Sequence, residues 1–522
     1  MGSDAQRFSR LWLGALIAAG IAHGWSLAWP WGETTRGETI PALSLLALAL
    51  LARSLGGAVT ACDVAWRTGL FNAAAFATSF GWLHISMHQY GGMPLLAAVA
   101  AVGALAAGLA LIPAGVFYLA WRLRAARPGQ MADTAIFAGA WLLSECVRAQ
   151  LGTGFPWGAI GYAQVDSPLR ALAPWIGVYG LGFVVAALAY LLANGFRRAR
   201  PWRVNGIRIG LIAGVAGLTL VAANQALPVL QATPGLQVRL LQGNVPQDQK
   251  FVHQLQASLM DYGQALLSSP ADLTITPETA MPVERRYWPE ALAPRVQATL
   301  EASGRLALVG LPATAADLSP RYSNTALAMG SPTPWRYDKY HLVPFGEFIP
   351  PGFRWFVDQM QIPLGDFARG ERVQPLLHWK GERIAAHICF EDLFGEELAA
   401  SFVAAQAPPT LLVNMSNLAW FGESVAIEQH LHIARMRALE LARPILRATN
   451  TGATAVIDAR GEVVARLPYR TKGALDATVQ GNAGPITPYA RWVGAWGLWP
   501  LMAWALFCMA LGLALGRAKS RA

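Results

Sequence analysis

Charge is what this chain has least of. Asp, Glu, Lys and Arg supply 14% of its 522 residues, against about a quarter in ordinary soluble domains. Hydrophobic residues make up 54% and tryptophan occurs 20 times, giving a mean hydropathy of +0.34. That balance excludes an ordinary soluble globule and points to an integral membrane protein. The net charge of +10 does not indicate nucleic acid, because Lys and Arg fall in short clusters beside apolar runs, the pattern of membrane topology. Cysteine is also scarce: Cys62, Cys146 and Cys508 lie in or beside apolar stretches, and Cys389 is alone in the polar middle of the chain. No disulfide can therefore form within that region. The sequence has no Gly-rich phosphate loop, no heptad run and no internal repeat, which leaves out P-loop, coiled-coil and solenoid architectures.

A membrane span needs about 20 mainly apolar residues. Candidates lie near 10–30, 38–54, 67–85, 93–121, 133–151, 169–195, 207–228 and 491–515, so eight spans are expected. The first is read as an uncleaved span, since its apolar run continues through "GWSLAWPW". Glu145 and Arg148, three apart in the fifth, are positioned to share a helix face. The clusters "RFSR", "RLRAARP", "FRRARPWR" and "GRAKSRA" all fall on one side of an eight-span chain, the cytoplasmic side by the Lys/Arg rule. This organisation predicts a transmembrane domain over 1–229, a large soluble domain over 230–487 facing the periplasm of a Gram-negative cell, and a closing span and cytoplasmic tail over 488–522.

Between the seventh and eighth spans the pattern changes. "LQVRLLQ", "ADLTIT", "RLALVGLPAT", "YSNTALAMG", "GERIAAHI", "PTLLVNMSN", "RPILRATN" and "ATAVIDARGEVVARL" read as strands, and 287–303 and 423–443 as helices. Alternating strands and helices argue for an α/β layered domain, with hairpins at "WKGERI" and "DARGEV". Glu278, Lys339 and Cys389 each stand where a strand ends. Together they offer a carboxylate base, a cation and a thiol, the set required for covalent acyl transfer. Glu391 and Asp392 directly follow Cys389 and would raise its pKa, so a cation has to lie close by; Lys339 is expected to offset Glu391. His430 and His432 are two apart on a helical stretch, do not share a face and have no third ligand nearby, which argues against a metal site.

The order of these residues in "PETAMP", "DKYHLVPFGEF" and "ICFEDLFG" resembles the nitrilase superfamily, which implies an αββα sandwich with a Glu-Lys-Cys triad. Eight spans around such a domain are similar to the apolipoprotein N-acyltransferase family, and the resemblance covers the whole chain. It implies Glu278 as general base, Lys339 as oxyanion-stabilising cation and Cys389 as nucleophile, with Glu347 and Glu391 as supporting acids. It further implies a phospholipid acyl donor, a diacylglyceryl apolipoprotein acceptor and no cofactor. The aromatic-rich stretch 341–365, with Phe345, Phe348 and Trp355, is expected to act as an interfacial arm gating lipid entry, and Trp420 and Phe421 as its opposite wall. A membrane-anchored nitrilase-like amidase or esterase would use the same three residues and differ only in releasing the acyl group to water. A transporter or a non-catalytic scaffold would tolerate loss of Cys389.

Overall fold

The computed structural model describes residues 2–124, 129–194, 210, 213–222, 230–250, 254–316, 319, 321–354 and 366–521. The chain divides into two units, one comprising Met1–His84, Leu95–Ala226 and Trp496–Ala522, the other Ile85–Pro94 and Leu227–Ala495.

The first unit is helical: α1 (Gly2–Ser26), α2 (Pro41–Leu55), α3 (Ala61–Ser79), α4 (Leu95–Leu123), α5 (Gln130–Gln150), α6 (Ala173–Ala193) and a C-terminal helix, Trp499–Arg521. Leu48, Leu51, Phe71, Phe137, Trp141 and Val185 form part of its buried core. Among the described residues three stretches are long and apolar enough to cross a membrane, Leu95–Leu123, Pro168–Ala193 and Trp499–Arg517. These match three of the eight expected spans. Pro41–Leu55 and Ala213–Ala222 are apolar but shorter, and the rest of the seventh expected span lies largely outside the described residues. In α3 and α5 charged residues lower the hydropathy, and each has a local partner. Arg67 pairs with Asp63 at 2.8 Å. Glu145 Oε1 accepts from the Ile160 amide at 2.9 Å, and Arg148 donates to the Trp157 carbonyl at 2.7 Å. Both side chains thus stitch α5 to the following loop.

The second unit holds two six-stranded sheets. One has the order β12-β1-β2-β3-β4-β5 and the other β11-β10-β9-β8-β7-β6. The first is built from β1 (Leu236–Gln242), β2 (Leu273–Ile275), β3 (Leu306–Thr314), β4 (Tyr322–Met329), β5 (Arg336–Asp338) and β12 (Gly473–Val479). The second comprises β6 (Leu377–Trp379), β7 (Glu382–Ile388), β8 (Leu411–Ser416), β9 (Ile445–Thr449), β10 (Ala455–Ile457) and β11 (Val463–Arg466). Each sheet has a parallel trio, β1-β2-β3 or β7-β8-β9, flanked by antiparallel strands. Parallel strands are covered on both faces, and β2, β8 and β9 are buried along their whole length. Val238, Leu240 and Leu308 of one sheet share a core with Ile384, Val413 and Leu446 of the other. Helices α7 (Leu255–Ser268) and α8 (Leu292–Ala302) cover the outer face of the first sheet through Leu259, Leu266, Val296 and Leu300. The fully buried α9 (Ala426–Leu441) packs beside the second, giving helix, sheet, sheet and helix layers. The β6–β7 hairpin turns on Lys380 and Gly381, both at positive φ, as a two-residue primed turn requires.

Candidate active site

Three strand ends converge here. Glu278 lies just beyond β2, and the corner that carries it has Thr279 at φ +47°. Gly310 on the neighbouring β3 lets that corner approach: a Cβ there would sit 2.3 Å from the Pro277 carbonyl oxygen. Lys339 follows β5, its amide donating to the Asn324 carbonyl at 2.8 Å. Cys389 ends β7 at φ +53°, a left-handed conformation unusual for a side chain with a Cβ, and begins a tight turn over Cys389–Leu393.

Lys339 has 0% exposure, and its Nζ lies 3.2 Å from Glu278 Oε1 and 2.9 Å from Glu347 Oε1. Asn324 Nδ2 donates to the same two oxygens at 2.7 and 2.9 Å. The second oxygen of each carboxylate is held by a backbone amide, Glu278 Oε2 by Asn417 at 2.8 Å and Glu347 Oε2 by Val343 at 2.8 Å. Burial alone would lower the Lys339 pKa, but the charges of Glu278 and Glu347 outweigh it and raise the value above the ordinary lysine range. The ammonium therefore stays charged. Burial, then the charge of Glu278, pushes the Cys389 thiol up to about 12, against the pull of Lys339 and the Asn417 amide. At neutral pH the resting sulfur carries its proton, and Glu278 is the carboxylate that acts on it most strongly.

Glu391 is held by donors from both sides of the site. Its Oε1 accepts from the amides of Tyr340 at 2.7 Å and His341 at 3.0 Å, and its Oε2 from that of Ile388 at 2.6 Å. The Tyr337 hydroxyl donates to both oxygens, at 2.9 and 3.0 Å. Four donors thus make the carboxylate a clamp between the Lys339 and Cys389 turns. The negative charges that raise the thiol pKa are those of Glu278 and Glu347, and Lys339 offsets these. Asp392 is likewise engaged elsewhere, with His387 at 2.5 Å and Arg447 at 2.9 Å.

Phe345, at φ +61°, donates its amide to the Phe348 carbonyl at 2.9 Å, and its ring meets Phe353 edge to face at 5.4 Å. Trp355 and the rest of the expected arm, 355–365, lie outside the described residues. Trp420 and Phe421 sit in a turn over Ala419–Phe421. Tyr90 packs against the Trp420 ring at 5.5 Å and donates its hydroxyl to the Ala419 carbonyl at 3.1 Å.

Sequence reasoning passed over Asn324, Asn417 and Lys250. Lys250 is buried, its Nζ donating to Thr279 Oγ1 at 2.6 Å and to the Glu278 carbonyl at 3.2 Å. Burial lowers its pKa to about 8, with Glu278 pulling the other way. A signal existed for Asn324 alone, a polar residue inside the apolar run of β4. The set as a whole offers a protonated thiol, a carboxylate to accept its proton and a fixed cation to meet developing negative charge, the requirements of covalent acyl transfer.

Residues 39–191 match the family model described as the apolipoprotein N-acyltransferase N-terminal domain, and residues 234–486 match that of carbon-nitrogen hydrolases. The chain is 46% identical over 514 residues to an apolipoprotein N-acyltransferase of Verminephrobacter eiseniae, covering 92% of each chain. To a relative of the same name from Ralstonia nicotianae it is 45% identical over 501 residues, 92% of this chain and 90% of that one. A third, from Bordetella bronchiseptica, is 41% identical over 523 residues. The chain belongs to the apolipoprotein N-acyltransferase family.

Proposed function

We propose that this protein moves a fatty acyl chain from a phospholipid to the N-terminal amine of a diacylglyceryl-cysteine apolipoprotein, through a thioester on Cys389. The observation that carries the reading is the buried Lys339 ammonium held between Glu278 and Glu347 beside a protonated thiol. The Cys389 sulfur attacks the ester carbonyl of the phospholipid while its proton passes to Glu278. The oxyanion is met by Lys339 Nζ and a backbone N–H of the Cys389 turn. Each such donor is worth roughly 10²–10³ in rate. As the tetrahedral intermediate collapses, Glu278 returns the proton to the departing alkoxide, and the lysophospholipid leaves.

The acceptor amine then attacks the thioester carbonyl and Glu278 takes a proton from its nitrogen. Collapse releases the thiolate, which recovers that proton, and the product is an amide. Water must stay out between the halves, which gives Phe345, Phe348, Trp420 and Phe421 a gating role at the lipid entrance. Glu347 holds Lys339 in place, and Glu391 clamps the two turns. The Lys/Arg clusters support a multi-pass protein of the inner membrane with both termini cytoplasmic and the catalytic unit periplasmic.

Intact-mass analysis of the full chain in detergent with phosphatidylethanolamine, and no acceptor, tests this. A shift of one fatty acyl group is expected, absent in Cys389→Ser. Steady release of free fatty acid without an adduct would instead indicate a hydrolase.

A further inference from the structure

The turn that carries Cys389 is anchored from behind by a buried array that takes no part in the steps above. His430, on α9, has Nε2 at 3.2 Å from the Cys389 carbonyl oxygen. On the ring's other side Arg447 Nη2 meets Nδ1. A guanidinium has only donors, so Nδ1 accepts and Nε2 carries the hydrogen that goes to the Cys389 carbonyl. Arg447, on β9, is fixed in turn by Asp392 Oδ2 at 2.9 Å and Asn414 Oδ1 at 3.1 Å. The other Asp392 oxygen meets His387 Nε2 at 2.5 Å. Asp392 Oδ2 also lies 4.0 Å from His430 Nε2, too far for a hydrogen bond. His430, Arg447 and Asp392 all have 0% exposure. Burial, then the Arg447 charge, lowers the His430 pKa to about 3, so the ring is neutral.

This array acts on a strained place. Cys389 stands at φ +53°, a conformation rare for a residue with a Cβ that persists only where the surroundings impose it. In a trans peptide the carbonyl and the following N–H point opposite ways, so fixing the Cys389 carbonyl towards α9 also fixes the Phe390 N–H away from it. We infer that His430, set in one tautomer by Arg447, is a positioning residue that holds the Cys389–Phe390 peptide so that the Phe390 N–H joins Lys339 in receiving the oxyanion. The inference rests on the reading of Cys389 as the acylated nucleophile.

The test uses the full chain in micelles with phosphatidylethanolamine and compares two reactions of one sulfur. Acylation passes through an oxyanion; alkylation by iodoacetamide, mapped to Cys389 by peptide mass, does not. Loss of one oxyanion donor costs about 10²–10³ in rate, so His430→Met should slow acyl-Cys389 formation ~100-fold or more and change alkylation less than about threefold. His430→Gln, whose amide can donate to the carbonyl and accept from Arg447, should recover most of the acylation. Should His430→Met fail to fold, His430→Asn carries the same expectation, because its shorter amide meets Arg447 without reaching the Cys389 carbonyl. Native-rate acylation in the Met or Asn variant overturns the inference, as does a parallel fall in both reactions or a Gln variant no better than Met. If the native protein itself forms no acyl-Cys389, it is the proposed function that fails.

Discussion

Glu278→Gln should make Cys389 more reactive towards a small alkylating agent while abolishing acyl transfer. With its thiol near pKa 12, about one sulfur in ten thousand is ionised at pH 8. After burial, Glu278 is the largest cause of that elevation, and Lys339 the largest opposing one. Removing one nearby like charge returns roughly one to three pKa units, so the thiolate fraction at pH 8 rises about 10- to 1000-fold. The amide fits the same space, but its NH2 has to face a donor, either Asn417 N or the Lys339–Asn324 side. That is a local penalty of about 1–3 kcal/mol. Iodoacetamide rate constants between pH 7 and 10, mapped to Cys389 to separate it from the exposed Cys62, would read the change, alongside acyl-Cys389 formation from phosphatidylethanolamine. Faster alkylation with lost acylation is the expected pair. Slower alkylation in Glu278→Gln would overturn this, because it would mean that the native sulfur has already passed its proton to Glu278 at rest.

Three further outcomes follow from the same geometry. Lys339→Met leaves Glu278 and Glu347 facing each other without their cation; breaking a buried pair costs about 3–5 kcal/mol, to be seen as a lower Tm together with loss of the acyl adduct. Glu391→Ala strands the amides of Ile388, Tyr340 and His341 and the Tyr337 hydroxyl, so Tm should fall by the equivalent of roughly 2–4 kcal/mol; an unchanged Tm would refute the clamp. Glu396 is raised to about 7 by burial and then by Glu397, so the fold favours its protonated form. Its stabilisation is complete below the unfolded value near 4.5 and is lost as pH rises to about 7, a difference of ~3 kcal/mol. Glu396→Gln should therefore raise Tm relative to the native protein at pH 8 and lose that advantage near pH 4.5.

Much of the catalytic unit was legible because parallel strands covered on both faces leave continuous apolar runs, as in β3 and β8. The edge strand β12 was not. Its burial alternates along its length, and its Asp476 faces solvent while paired with Arg239 at 2.6 Å, so it reads as a polar loop. β5 is too short, three residues, to carry a period. Helices long and apolar enough to cross a membrane were legible where hydropathy is unbroken, in α4 and α6; in α3 and α5 charges bonded to nearby backbone or to each other interrupt it.

At the site, residue types at strand ends could be read, but side-chain direction could not. Glu391 is two residues from Cys389 and looked like its electrostatic neighbour; the turn instead points it at four donors. His430 was weighed only as a metal ligand, since nothing in "HLHIARM" shows that its ring meets Arg447 from β9 and the Cys389 carbonyl. Asn417 and Lys250 act through a backbone amide and through bonds to a neighbouring corner, contacts that only the tertiary fold creates.

In the proposed cycle one sulfur carries the acyl group between two lipids that need never meet. Full-length protein acylated from a phosphatidylethanolamine with an isotopically labelled chain, stripped of free lipid and then mixed with a diacylglyceryl-cysteine peptide, tests it directly. The label is expected to leave Cys389 and arrive as an amide on the peptide's N-terminus, one chain per acylated enzyme. Peptide acylation that occurs only while donor lipid is present, or label lost to water as free fatty acid, would contradict it.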